Sequence, residues 1–185
     1  MPPKSVRNPA PPEGFRYRPE FVDSDDERNL VERIRTLPLT PFDFHGYQAN
    51  RRIVSYGWRY SYDDAALQRA EPLPAFLLPL REDAAAFAQL NPDDLPHALI
   101  TEYTAGTPIG WHRDKRVFGD VIGISLLSAC VFRFRRKAGS AWERYSLTAE
   151  PRSAYLLRGA VRTAWEHSIP AVSELRYSIT FRSLR

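Results

Sequence analysis

Arg176-Tyr177-Ser178-Ile179-Thr180-Phe181-Arg182, near the end of the 185-residue chain, is the heptapeptide whose reading decides the fold. As a strand, its alternation sends Arg176, Ser178, Thr180 and Arg182 to one face and Tyr177, Ile179 and Phe181 to the other. The second face is ordinary core. The first is foreign to a β-sandwich interior, because two buried arginines beside hydroxyls need anionic partners to offset their desolvation. A small dicarboxylate would supply them, since a guanidinium grips a carboxylate with two parallel hydrogen bonds. The alternative is an edge strand whose polar face lies in water.

Working back from that strand, residues 98–104, 121–127, 131–135, 145–148, 153–157 and 163–168 read as further short strands. Gly106-Thr107-Pro108, Ala138-Gly139-Ser140 and Arg158-Gly159 supply turn chemistry between them. Such spacing implies a sandwich or barrel. Before residue 97 the pattern differs. Residues 15–22 suggest a short strand, and Ser24 with Glu27 forms a capping box opening a helix with an apolar face of Leu30, Val31, Ile34 and Leu37. Pro38 and Pro41 end it. Phe42, Phe44 and residues 52–55 read as strands with Gly46 and Asn50 in the turns, and residues 81–90 as a second, Ala-rich helix. The fold class is therefore α+β, mainly β: a double-stranded β-helix (jelly-roll, cupin-like) with N-terminal buttressing helices. Residues 1–14 read as a mobile Pro-rich tail and 15–185 as one domain, with an N-terminal extension and substrate-recognition segment over 15–96 and the jelly-roll core over 97–185.

Trp111-His112-Arg113-Asp114 carries the chemistry. Side chains two apart on a strand share a face, so His112 and Asp114 can point together. A second imidazole from elsewhere would complete two histidines and a carboxylate around a metal, a set suited to Fe(II) with positions left for a co-substrate and O2. A three-residue pattern arises readily by chance, and its weight depends on what accompanies it.

Composition narrows the class. No run approaches the roughly 18 apolar residues of a membrane span, and the N-terminus lacks an apolar signal core, so a cytoplasmic protein without membrane association is expected. Cys130 is the single cysteine, which excludes an internal disulfide or a Cys-based metal cluster and suggests a small buried apolar residue. Charge is uneven: residues 1–100 carry 12 Lys+Arg against 15 Asp+Glu, residues 101–185 carry 14 against 7. A basic half with Arg133, Arg135, Arg136 and Lys137 clustered suggests phosphate contact, or else a solvated strand face. Tyr56, Trp58, Tyr60 and Tyr62 at even spacing would make one aromatic face, serving either core packing or base stacking.

Taken together, Ile100-Thr101-Glu102-Tyr103, Gly106, Ile109-Gly110-Trp111-His112-Arg113-Asp114, Ile124-Ser125-Leu126, Trp165-Glu166-His167-Ser168-Ile169-Pro170 and the closing heptapeptide resemble the AlkB family of Fe(II)- and 2-oxoglutarate-dependent dioxygenases over about residues 50–185. Tyr56-Gly57 and Tyr60-x-Tyr62 match its aromatic segment. The resemblance implies that His112, Asp114 and His167 bind Fe(II), that Arg176 pairs the distal carboxylate of 2-oxoglutarate with help from Thr101, Tyr103 and Ser178, and that Arg182 lies by the carboxylate next to the keto group as part of the catalytic set. Tyr56, Trp58, Tyr60, Tyr62 and Arg116 would face the substrate. The implied reaction couples decarboxylation of 2-oxoglutarate to succinate and CO2 with hydroxylation of a substrate C–H bond. On an N-methyl group this releases formaldehyde.

The sequence departs from the family at four places. Thr101 and Ser178 replace asparagines, Leu127 replaces the glycine of Ser-Leu-Gly, a change expected to be absorbed in the sheet, and Arg116 replaces an acidic base-reading residue. The leading expectation is a monomeric enzyme that oxidatively demethylates N-alkylated bases in single-stranded or flipped-out DNA or RNA. The alternative is an oxygenase of a modified tRNA nucleoside or a protein side chain.

Overall fold

The computed structural model describes residues 10–44 and 47–185, so Gly46 and residues 1–9 of the expected tail lie outside the described residues. In chain order the elements are β1 (Phe15–Arg18), α1 (Ser24–Arg35), β2 (Thr40–Phe44), β3 (Tyr47–Tyr56), β4 (Trp58–Ser61), β5 (Ala66–Arg69), α2 (Leu78–Ala88) and β6 (His97–Tyr103). They continue with β7 (Ile109–His112), β8 (Phe118–Leu126), β9 (Cys130–Ala138), β10 (Ala141–Ala149), β11 (Ala154–Leu157), α3 (Ala160–Thr163), β12 (Glu166–Ile169) and β13 (Arg176–Leu184).

Among the described residues the strands form a seven-stranded sheet, β1-β11-β8-β13-β6-β3-β2, a four-stranded sheet, β10-β9-β12-β7, and a hairpin of β4 with β5. Tyr103, Val121 and Leu157 of the larger sheet pack with Phe132, Phe134 and Ile169 of the smaller one, so the two face each other as the leaves of a jelly roll. On the outer side of the larger sheet, Leu30, Val31 and Ile34 of α1 and Ala84, Ala85 and Phe87 of α2 cover Ile100, Ile124, Ile179 and Phe181. Burying each of those large side chains contributes roughly 2 kcal/mol. The helices buttress one sheet, as the element order implied.

This settles the closing heptapeptide. β13 is hydrogen-bonded to β6 on one side and β8 on the other, so it is central and the edge-strand alternative fails. Its apolar residues face the helices. Arg176, Ser178, Thr180 and Arg182 face the space between the sheets, all of them buried. Cys130 is buried in the core between the leaves.

Several local expectations change. The N-cap of α1 is Asp23, not Ser24: its carboxylate accepts from the Asp25 and Asp26 amides at 2.9 and 2.8 Å. Glu27 leaves the cap and accepts instead from the amide of Leu127, 2.8 Å away. That bond holds a strained residue. β8 stops at Leu126, and Leu127 has φ +72°, the left-handed region a glycine adopts freely, so the substitution lies past the strand end rather than within the sheet. Asn50 lies inside β3, where the register against β2 slips after Pro41, and Thr163 closes the short α3 rather than opening a strand. At the chain start, the carbonyls of Glu13 and Gly14 accept from the amides of Val161 and Arg158 at 3.0 Å each.

Candidate active site

His112 closes β7 and His167 lies opposite it on β12, Cα partner to Cα partner. Asp114 is not on the strand. It sits in the loop after β7 and turns back, placing Oδ1 3.7 Å from His112 Nε2 and 3.9 Å from His167 Nε2. One ligand atom from each of the three lies within 4.8 Å of the others. Convergence is thus achieved by a loop instead of strand alternation. The carbonyl of Gly110, 2.8 Å from His112 Nδ1, can only accept, so it keeps the proton there and leaves the Nε2 lone pair free. Burial, reinforced by His112, pushes the His167 imidazolium down to about 3, which keeps that ring neutral. Burial alone would raise the Asp114 carboxyl, but Arg182, His112 and His167 together outweigh it and hold Asp114 well below the usual carboxylate range. Two imidazoles and one carboxylate are a donor set that fits Fe(II).

Behind this group, the two arginines of β13 carry unanswered donors. Arg176 is 1% exposed; its Nε donates to Ser125 Oγ at 3.0 Å, its guanidinium lies over the Tyr103 ring at 5.0 Å, and its buried Nη1 has no hydrogen-bond partner among the described residues. Arg182 Nε is likewise buried without a hydrogen bond, 3.7 Å from Asp114 Oδ2. Two buried cations with spare N–H groups on one strand face fit a dicarboxylate, the partner that their desolvation demands. Thr101 and Ser178 are Cα partners on β6 and β13 and line the same cavity.

The cavity, about 580 Å³, opens between the sheets. Tyr60 and Tyr62 form part of its wall with ring centroids 5.1 Å apart. The Lys115 ammonium lies over both rings, at 5.0 and 4.7 Å, and Arg51 lies over Phe42 at 4.1 Å. The expected single face of four aromatics is divided. Gly57, at φ +73° with the Pro96 carbonyl where a Cβ would go, breaks the run after β3. Tyr56 then joins the core against the helices, while Trp58 stacks on Arg69 at 4.1 Å, away from the cavity wall.

Arg116 is exposed and outside the cavity lining, and its neighbour Lys115 takes the position at the mouth. Neither Glu102 nor Asp120 offsets that charge. Glu102 accepts from Arg52 at 2.7 and 2.9 Å and from the Tyr177 hydroxyl at 3.0 Å, and Asp120 is paired with Arg158 at 2.6 Å. Among the described residues Asp114 is the only carboxylate in the lining, against Arg51, Arg113, Lys115, Arg176 and Arg182.

Sequence reading passed over Arg51, Lys115, His97 and Tyr155. Lys115 adjoins the motif, and His97 is the Cα partner of Arg182, a relation that only strand register reveals. Tyr155 is likewise placed by register, opposite Gly123, where any Cβ would run into the tyrosine ring. Burial raises the Tyr155 phenol, with Arg176 acting in the opposite direction, so the hydroxyl remains a neutral donor facing the cavity.

The profile of the 2OG-Fe(II) oxygenase superfamily matches residues 14–182. An Arabidopsis thaliana protein named "Alkylated DNA repair protein ALKBH8 homolog" is 31% identical over 201 residues, covering 93% of this chain and 56% of that protein. A Xenopus tropicalis protein named "tRNA (carboxymethyluridine(34)-5-O)-methyltransferase alkbh8" is 26% identical over 174 residues, covering 90% of this chain and 26% of that protein. The chain therefore spans about half the length of the first relative and a quarter of the second. Among solved structures, that of OsALKBH1 superposes with a TM-score of 0.74 over 95% of this chain and 99% of its own at 14% identity, which is a likeness of fold.

Proposed function

The chain belongs to the 2OG-Fe(II) oxygenase superfamily, as an AlkB-family dioxygenase using Fe(II), 2-oxoglutarate and O2, and from that premise we propose that its substrate is a base in RNA bearing a neutral or acidic substituent. In this reading His112, Asp114 and His167 hold the iron, Arg176 with Tyr103, Thr101 and Ser178 holds the distal carboxylate of 2-oxoglutarate, and Arg182 attends the other carboxylate. Once bound, iron and 2-oxoglutarate supply the oxidation: the 2-oxo acid becomes succinate and CO2, and an oxygen atom is inserted into a substrate C–H bond. The protein's own part is to fix the donors, keep the buried His167 imidazole neutral and shield the cavity between the two leaves. Residues 15–96 contribute Phe42, Arg51, Tyr60 and Tyr62 to the mouth, and residues 97–185 contribute the ligands.

One observation carries the choice of substrate. Asp114 offsets one of the two charges of Fe(II) and the two 2-oxoglutarate carboxylates offset Arg176 and Arg182, so among the described residues Arg51, Arg113 and Lys115 add to a mouth that is already positive. Arg51 and Lys115, both half-buried, with the exposed Arg113 beside them, repel a cationic N-methylated base and favour a neutral or anionic one. Tyr60 and Tyr62 supply the stacking surface for a base taken out of its stack. The name of the Xenopus relative, which specifies a carboxymethyluridine, supports the same class, although methyl transfer is not carried over to a chain covering a quarter of it. Demethylation of N-alkylated bases in DNA or RNA uses the same oxidation and differs only in the group presented.

The test loads the protein anaerobically with Fe(II) and 2-oxoglutarate, admits O2, and supplies two panels: single-stranded oligonucleotides with cationic N-methyl bases, and tRNA with side-chain-modified uridines. A gain of one oxygen by the tRNA nucleoside, with matching succinate and no formaldehyde from the cationic panel, is expected. Lys115→Glu then shifts turnover toward the cationic bases. Formaldehyde from the cationic panel alone overturns the charge argument and restores demethylation. Tyr60→Ala depresses substrate turnover more than uncoupled 2-oxoglutarate decay, whereas Trp58→Ala, outside the cavity, leaves their ratio unchanged.

A further inference from the structure

The outer face of the four-stranded sheet is unlike the outer face of the larger one. The larger sheet is covered by helices, whereas Val131, Lys137, Trp142 and Arg144 of the smaller sheet are exposed. His112, His167, Phe132 and Phe134 point inward, so the alternate residues of the same strands point outward. On β9 these are Val131, Arg133, Arg135 and Lys137, at a spacing of about 6.7 Å, twice the strand rise. Arg144 of β10 lies directly beside Arg135 and Trp142 beside Lys137.

Four residues, one from each strand, join into a strip across the sheet. The Arg135 guanidinium stacks on Trp111 of β7 at 4.3 Å and on Trp142 of β10 at 4.5 Å, and its Nε donates to Glu166 of β12 at 2.7 Å. Arg133 also lies over Trp111, at 5.1 Å. All four strands therefore contribute to one aromatic and cationic band. Trp142 is 40% exposed at one end, and Trp111 at the other end lines the cavity mouth. Glu166 is the acidic residue of this face against Arg133, Arg135, Lys137 and Arg144.

Resting on the reading of an RNA substrate, we infer that this outer face is a platform for the single-stranded RNA flanking the target base. Phosphates meet the row of cations, and one or two flanking bases stack on Trp142 and its Arg135 layer while the target base enters beside Trp111. Regular negative charge with flat apolar rings between the charges matches both halves of the band, whereas an acidic peptide would match the cations only. The continuity through Trp111 makes the platform an extension of the mouth rather than a separate site.

The probe is a fluorescein-labelled single-stranded RNA 12-mer of mixed sequence, followed by anisotropy on the Fe(II)- and 2-oxoglutarate-loaded protein without O2, across a salt series. Wild-type protein binds. Lys137→Gln/Arg144→Gln, both exposed positions, weakens binding about tenfold near 0.1 M salt and reduces the slope of log affinity against log salt by about 1.4, the value for two lost single-strand phosphate contacts. Trp142→Ala weakens it about tenfold with little change of slope, as stacking loss does, and Trp142→Phe restores most of it. The visible band formed when Fe(II) and 2-oxoglutarate bind reports that the pocket of each variant is intact. Wild-type binding that neither the charge nor the indole variants reduce overturns the platform and leaves the RNA reading standing. No wild-type binding to the RNA at any salt overturns that reading and the platform with it.

Discussion

His112 and His167 face one another across the β7–β12 pair, their ring centroids 4.3 Å apart, and the Asp114 carboxylate reaches both from the loop beyond β7. Two strands and a loop have to fold together before the three donors meet. Replacing any one of them, as in His112→Ala, Asp114→Ala or His167→Ala, is expected to weaken Fe(II) binding by about 100-fold or more, beyond the loss seen for outer-shell partners of metal ligands. Anaerobic titration followed by the visible band of the loaded site checks this. An undiminished band in all three variants means that the metal lies elsewhere.

Arg176 holds a buried donor that nothing among the described residues answers. Arg176→Met should therefore stabilise the protein without ligands, by about 1 kcal/mol or roughly 3 °C in Tm, because it removes an uncompensated buried cation. The same variant should raise the KM for 2-oxoglutarate about 100-fold, the loss of a charged, paired hydrogen bond. Thermal scans with and without 2-oxoglutarate separate the two effects. A variant destabilised in both conditions would show that Arg176 is structural.

His97 is 2% exposed, stacks on Phe118 at 4.7 Å and keeps a buried Nδ1 without a partner. Burial, with Arg182 beside it, holds the imidazolium far below its ordinary range. The folded state therefore refuses a proton that the unfolded chain accepts, so stability from this residue is complete above pH 6.5 and falls as the pH drops below it. The slope approaches about 1.4 kcal/mol per pH unit for one proton. His97→Phe keeps the ring contact and removes the titration, so its gain in Tm over the parent should grow from pH 7.5 to pH 5. An equal gain at both values would refute this account.

Leu127 adopts φ +72° immediately after β8, and the Glu27 carboxylate accepts its amide hydrogen. A leucine pays backbone strain in that region that glycine does not. Leu127→Gly, at a position 37% exposed, is expected to stabilise by about 0.5–1 kcal/mol, and Leu127→Asn by less. Denaturant midpoints measure it. If Glu27→Gln erases the difference between leucine and glycine, the amide bond rather than the backbone angle sets the cost.

The sequence by itself determined the two faces of β13, the order of helices before strands, and the residue types that meet in the His112–Asp114–His167 cluster and on the buried polar face of β13. Those are properties of local alternation and of chemical identity, which the chain carries with it: a strand's period is two wherever the strand ends up. It was right that Arg176 and Arg182 share a buried face because alternation requires the sharing and no polar edge was available once β6 and β8 flanked the strand. Only the tertiary structure decided the rest. Gly57 redirected an aromatic run, sending Tyr56 to the core and Tyr60 to the cavity, because the Pro96 carbonyl occupies the space a side chain would need. Asp23 rather than Ser24 caps the helix, and Glu27 is committed to the amide of Leu127, 100 residues away in sequence. The charge of the mouth follows from Arg51 and Lys115 converging there while Arg116 turns to solvent and Glu102 and Asp120 are claimed by other arginines. Such outcomes depend on which distant groups compete for the same space and the same hydrogen bonds, and that competition exists only once the two sheets have closed.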